Sequence, residues 1–245
     1  MRKLLAYPLN ILFFISFGLL LVTFHPIQWF CLNVLGYKAH ARSVSILNLG
    51  IMGCTLLLGT RYTFSNPHKI PTDRPLILVS NHQSMFDIPP IIWYMRRHHP
   101  KFVSKIELGK GIPSVSYNLR HGGSALINRK DSRQALAEIT KLGRYIERHN
   151  RTAVIFPEGT RSRTGHPKKF QPMGLKVLMK NAPNALLAAV SINNSWKLMR
   201  WGKFPYGIGQ HLKFRVHTPI ENSGDPDALI AQLEAQVTHG IHVES

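Results

Sequence analysis

The chain has 245 residues, enough for one sizeable domain with an appendage and too few for two full domains. Lys and Arg outnumber Asp and Glu by 31 to 12, a formal charge of +19 that leaves nucleic acid and anionic membrane as the two candidate partners. Only Cys31 and Cys54 are present, which excludes a disulfide-stapled scaffold.

From Leu4 to Phe24 no residue is charged. As a helix this run would measure about 31 Å, the thickness of a bilayer's hydrocarbon core. A second uncharged run, Ser43 to Gly59, is shorter and carries Asn48. It makes a poor solitary span but a suitable partner in a hairpin that spans or dips into the membrane. Trp29, Phe30 and Tyr37 between the runs are residue types that settle at headgroup level. Two readings compete. A cleaved signal peptide would use Arg2-Lys3 and the Ala39-His40-Ala41 triplet, but the apolar run is too long and ends well before that triplet. A buried core hairpin would be expected to show a polar face. A hairpin returns both ends to one side, and positive-inside places the basic remainder on the cytoplasmic side of an inner or cytoplasmic membrane.

A link bearing Pro, Asn and Asp runs from Ser65 to Pro75, and the organisation expected is a two-helix docking segment, 1–62, followed by a soluble domain, 63–245. Pro75 to Ser80 is a short apolar run ending at turn formers, a buried strand that delivers His82 to its C-terminal end. Ser124–Asn128, Thr152–Phe156 and Leu186–Ile192 read the same way, and Lys101–Ser104 and Leu212–His217 give weaker strand signals. Asp131 or Ser132 caps a helix with Leu136, Ile139, Leu142 and Ile146 on one face. Asp225-Pro226-Asp227 opens another, striped by Leu229, Leu233 and Val237. Strands alternating with helices predict an α/β layered sheet with flanking helices, its active residues on loops past the strand ends.

Two segments carry chemistry. In Asn81-His82-Gln83-Ser84-Met85-Phe86-Asp87 the His and Asp are five residues apart, which a regular helix would separate by about 140°. If the helix starts only after His82, Asp87 in its first turn can reach back to one imidazole nitrogen and fix the tautomer. Pro89-Pro90 is expected to limit the helix that follows. The alternative is a surface His beside an Asp that complements a helix dipole. In Phe156-Pro157-Glu158-Gly159-Thr160-Arg161-Ser162, Pro157 ends a strand and Gly159 permits the tight turn that aims Glu158 and Arg161 into one space. Glu158 could accept from a substrate hydroxyl and Arg161 could grip a phosphate with two prongs, or the two could form an internal ion pair. A base with no nucleophilic Ser or Cys beside it implies that the attacking hydroxyl belongs to the substrate.

The ordered pair of motifs resembles the glycerolipid acyltransferases, nearest to the branch that acylates 1-acyl-glycerol-3-phosphate, over roughly residues 65 to 220. The resemblance implies a glycerol-phosphate acyltransferase-like α/β fold preceded by a membrane helix pair. It implies transfer of a fatty acyl group from acyl-CoA or acyl-acyl-carrier protein to a lysophosphatidate-like acceptor, giving phosphatidate, with no cofactor. His82 is then the general base and Asp87 its orienter. Arg129, in Gly123-Ser124-Ala125-Leu126-Ile127-Asn128-Arg129, and Lys105, in Ser104-Lys105-Ile106-Glu107-Leu108, become phosphate ligands. Glu158, Gly159, Thr160 and Arg161 inherit acceptor binding. Two departures stand out. Leu186–Ile192 lacks the family's Pro, and Phe170-Gln171-Pro172-Met173-Gly174 replaces Phe-Lys-x-Gly, with Lys168 and Lys169 just upstream either taking over that basic function or, the favoured reading, forming a solvated charge run. Another lyso-lipid acceptor, or a non-catalytic protein binding anionic lipid or nucleic acid, are the alternatives. The second leaves both motifs unexplained, so no nucleic-acid partner is expected. Thirteen His residues show no metal-ligand spacing, no metal is assigned, and Gly122-Gly123-Ser124 is not a nucleophile elbow.

Overall fold

A computed structural model describes residues 2–243. The chain opens with two helices, α1 (Arg2–Asn33) and α2 (Tyr37–Leu56), longer than the uncharged runs because Gly36, at φ 82°, turns the chain only after Val34-Leu35. Gly50 lets them approach, since a Cβ there would lie 2.9 Å from Leu20. Among the described residues only α1 is long and apolar enough to cross a membrane.

Eight strands follow: β1 (Arg61–Ser65), β2 (Leu76–Ser80), β3 (Pro100–Lys105), β4 (Ala125–Ile127), β5 (Thr152–Ile155), β6 (Leu186–Asn193), β7 (His211–Val216) and β8 (Ile220–Glu221). They form one sheet in the order β1-β7-β6-β2-β5-β3-β4, with β8 also on β6. The run from β6 through β2, β5 and β3 to β4 is parallel, and β7 and β8 run antiparallel to β6. Five helices complete the fold: α3 (Ile88–Tyr94), α4 (Val115–His121), α5 (Ser132–His149), α6 (Pro172–Asn181) and α7 (Pro226–His239).

The buried strand β2 alternates across the sheet. Leu76 and Leu78 face a core shared with Phe13 of α1, Val44 of α2 and Ile91 of α3. Ile77 and Val79 face Ile139, Leu142 and Ile146 of α5, Leu175 and Leu178 of α6 and Leu233 of α7. Asp131 and Asp225 cap α5 and α7 through Gln134 N–H at 3.0 Å and Ala228 N–H at 2.9 Å. The layered α/β architecture is the one expected.

Phe13 of α1, Val44 of α2 and Leu58 belong to the sheet's own core, so the first two helices form one wall of the domain. Two features differ from the sequence reading. β1 alternates exposed and half-buried residues along the sheet edge, a pattern too polar to stand out in sequence. Pro89 and Pro90 do not limit α3. They occupy its first turn, where the N–H that Pro lacks has no helical partner anyway.

Candidate active site

Strands β2 and β5 are parallel neighbours, with Val79 opposite Ile155, so the segments that follow them emerge at the same sheet end. Those segments are 81–87 and 156–162. Ser162 N–H donates to His82 C=O at 2.7 Å, and His82 N–H donates to Glu158 Oε1 at 3.2 Å. Two reciprocal contacts thus lock the motifs together.

After His82 the chain makes a single 3-10 turn, Met85–Asp87, capped by Ser84, whose Oγ accepts from Phe86 N–H at 3.0 Å. The turn brings Asp87 back beneath the imidazole, so Asp87 Oδ2 lies 2.7 Å from His82 Nδ1. Oδ2 also accepts the N–H groups of Gln83 at 2.7 Å and Ser84 at 2.9 Å, and Oδ1 accepts the Ser195 hydroxyl. The carboxylate is fully buried, yet it accepts from four donors, three on Oδ2 and one on Oδ1, which is the condition for burying a charge. An acceptor at Nδ1 places the ring's proton there and leaves Nε2 as a base. The ring lies flat on Phe156, centroids 4.2 Å apart and planes at 17°, with the side chain 16% exposed.

Glu158 is buried, and burial pushes its carboxyl up to about 7 against the opposing pull of the His82 and Lys168 N–H groups. Gly159 takes φ 70°, the left-handed conformation that turns the chain. Thr160 Oγ1 accepts Lys168 Nζ at 2.8 Å, and the same ammonium donates to Arg161 C=O at 3.2 Å. Lys168 is therefore tied to the second motif and is not a free solvated charge. No Glu158–Arg161 ion pair forms.

Arg161 is exposed beside Met199 and close enough to Arg129 that the two guanidinium groups repel. Burial, then Arg161, disfavour the Arg129 charge, and only Glu107 offsets them. Arg161 thus bears electrostatically on Arg129, and among the described residues Glu107 is the one carboxylate that favours the Arg129 charge. Lys105 lies exposed at the end of β3, paired in register with Ile127 and making no ion pair among the described residues.

Several supports were not visible in the motifs. Asn81 bridges β2 to β6, accepting Ile192 N–H at 2.8 Å and donating to Ile192 C=O at 2.9 Å. Gln83 Oε1 accepts Ser195 N–H at 2.9 Å. Asn10 of α1, wholly buried, accepts Tyr206 N–H at 2.7 Å and donates to Tyr206 C=O at 3.1 Å. Phe13 and Tyr206 both pack against Phe86, the residue before Asp87. No cluster of His, Cys, Asp or Glu suited to a metal occurs among the described residues.

Known proteins are similar to this chain. At 35% identity over 129 residues the chain is similar to a 1-acyl-sn-glycerol-3-phosphate acyltransferase of Helicobacter pylori (strain J99), covering 49% of this chain and 51% of that one. At 28% it is similar to the human beta form, covering 53% and 46%. The match thus spans about half the length of these curated relatives. The crystal structure of the Thermotoga maritima 1-acyl-sn-glycerophosphate acyltransferase PlsC superposes with a TM-score of 0.81 over 98% of this chain and 96% of that one, at 24% identity, and shares the fold. The sequence pattern of the Acyltransferase family matches residues 61–192, which hold His82, Asp87, Arg129 and Arg161 as well as β1 to β5 and all but the last residue of β6. The chain belongs to the acyltransferase family.

Proposed function

We propose that the protein transfers a fatty acyl group from an acyl thioester, acyl-CoA or acyl-acyl-carrier protein, to the free hydroxyl of 1-acyl-glycerol-3-phosphate, forming phosphatidate. The observation that carries this reading is the buried His82–Asp87 pair at 2.7 Å, joined through Ser162 N–H to the loop that bears Arg161. His82 Nε2 takes the acceptor's hydroxyl proton as its oxygen attacks the thioester carbonyl. The C–S bond then breaks, and the imidazolium returns the proton to the thiolate. Asp87 holds the tautomer and stabilises the imidazolium. Arg129 and Arg161 hold the acceptor's phosphate, and Lys105 adds charge at the same sheet end. Glu158, Gly159 and Thr160 shape the acceptor loop: Glu158 braces the His82 backbone, Gly159 makes the turn and Thr160 anchors Lys168.

The docking segment, residues 1–62, is proposed to lie along an inner or cytoplasmic membrane with the remainder, 63–245, on the cytoplasmic side. Support comes from the contacts of α1. Asn10 bonds Tyr206, Leu21 C=O accepts the Ser114 hydroxyl, His25 Nδ1 accepts Ser114 N–H and Asn33 donates to the Tyr117 hydroxyl. A helix held to the domain along its whole length leaves only its outer face for lipid. That face carries Leu4, Leu12, Ile15, Leu19 and Val22, all exposed.

The test is mass spectrometry of products from a panel of lyso-acceptors offered both acyl-CoA and acyl-carrier protein. The reading requires phosphatidate from the phosphate-bearing acceptor. Preferential acylation of an acceptor with no phosphate would overturn it.

A further inference from the structure

A second cationic site lies away from His82, at the opposite end of the parallel strands. His82 and Phe156 follow the ends of β2 and β5, whereas Lys101 lies at the start of β3 and Arg151 just before β5. Both basic groups sit over the Tyr37 ring, Lys101 Nζ 5.0 Å and Arg151 Cζ 4.8 Å from its centroid, and neither forms an ion pair among the described residues. Lys101 is only 6% exposed. Burial and Arg151 pull its ammonium down to about 7. The Tyr37 hydroxyl contacts His99 Nδ1 at 3.2 Å, and His99 falls to about 4 through burial and the charges of Arg151 and Lys101. His40 Nε2, in a residue 1% exposed, and Arg151 Nε are buried without hydrogen-bond partners. Cation–π contact offsets part of this charge, but the described residues supply no counter-ion.

His99 also opens onto a surface groove of about 410 Å³. Lys38 and Arg42 of α2 line one side, and Trp93, Arg96 and Arg97 the other. Arg96 is held in place, its Cζ 4.3 Å from the Trp93 ring centroid and its Nη1 donating to Trp93 C=O at 2.8 Å. Among the described residues no carboxylate lines the groove. It adjoins a second, apolar cleft of about 320 Å³ between α1 and α2, formed by Phe24, Ile27, Cys31 and Ile46, and Arg42 and Ile46 border both. A basic groove continuous with an apolar cleft matches a phosphate joined to a hydrocarbon chain.

We propose that this groove binds the phosphate of an anionic phospholipid, with one of its acyl chains in the cleft between α1 and α2. The lipid here is a fixed ligand, neither acceptor nor product in the catalytic site, and its phosphate lies among Lys38, Arg42, Arg96 and Arg97. The site stands whatever acceptor the enzyme uses.

The test uses the full-length His82→Ala chain in detergent, so that no acyl transfer intervenes, and titrates dioctanoyl-phosphatidylglycerol, dioctanoyl-phosphatidylcholine and inorganic phosphate. Phosphatidylglycerol should bind most tightly. Arg96→Gln combined with Arg97→Gln should weaken it roughly tenfold or more, since each basic group near an anionic headgroup contributes on the order of 1 kcal/mol. Ile46→Trp, which narrows the cleft without changing charge, should weaken it too, and keeps the test open should the double variant fail to fold. Arg161→Lys should leave this affinity unchanged. Equal binding of phosphatidylcholine would show adsorption by chains alone, and equal binding of inorganic phosphate would remove the cleft from the site. Either result, or weakening by Arg161→Lys with none from the groove variants, would overturn the proposal.

Discussion

The main-chain N–H of His82 donates to the side chain of Glu158, so the residue that opens the turn after β5 also holds the backbone of His82. Because burial raises the Glu158 carboxyl to about 7 from an ordinary value of 4.5, the folded state binds a proton that the unfolded chain has released between those values. Stability therefore falls as pH rises from about 4.5 to 7, and the cost is complete above that window. Glu158→Gln keeps an oxygen for His82 N–H and removes the charge. It should melt higher than the parent at pH 8, by on the order of 2 kcal/mol, with the advantage shrinking toward pH 5. Thermal melts across pH check this, and a constant difference would show that Glu158 stays ionised.

In the proposed mechanism the base acts on a moving proton whereas the Arg pair holds the ground state, so His82→Ala should abolish turnover while the acceptor still binds. Asp87→Asn should retain a trace of activity, down by about 10³–10⁴-fold, since the imidazole survives in a poorly specified tautomer. The Asn variant should also melt lower, because an amide NH₂ turned toward the donors now served by Oδ1 or Oδ2 cannot accept from them. Single-turnover kinetics with acceptor-binding measurements would separate these effects.

Arg161→Lys keeps the charge and loses the planar fork, so KM should rise about tenfold or more for a phosphate-bearing acceptor and little for one without phosphate. Arg129→Ala should act in the same direction. Equal losses for both kinds of acceptor would make Arg161 structural.

Asn10→Leu leaves the Tyr206 N–H and C=O buried and unpaired, at a cost of about 2–3 kcal/mol. The melting temperature should fall. Turnover should fall as well, because Tyr206 packs on Phe86 next to Asp87. A stability loss with unchanged kcat would uncouple α1 from the catalytic turn.

The strands that carry the site were legible because β2, β5 and β6 are buried on both faces and read as unbroken apolar runs. The His82–Asp87 contact was legible as a possibility, since a helix that starts only after His82 lets Asp87 in its first turn reach back to the ring, while the Ser84 cap that makes the turn was seen only in the structure. Ser195, Asn81 and Gln83 were not, because their partners are brought close only by the sheet order, and no local pattern encodes a hydroxyl arriving from the loop after β6. The helix α6 could have been found: Pro172 at its start and Leu175, Leu178 and Met179 on one face are ordinary signals. On α1 the buried stripe of Ala6, Asn10, Phe13 and Leu21 is masked by equally apolar residues on the opposite side. Hydrophobicity on both faces hid which side met protein.

The Asn10 clamp changes what it would take to obtain this enzyme free of detergent. Deleting residues 1–60 would strip Phe13, Val44 and Leu58 from the sheet's core and unpair Tyr206, producing a broken domain where a soluble one was intended. Repainting is the better route. Exchanging Leu4, Leu12, Ile15, Leu19 and Val22 for Lys and Glu, while leaving Ala6, Asn10, Phe13 and Leu21 untouched, would retain every contact that α1 makes with the catalytic end and abolish only its affinity for oil.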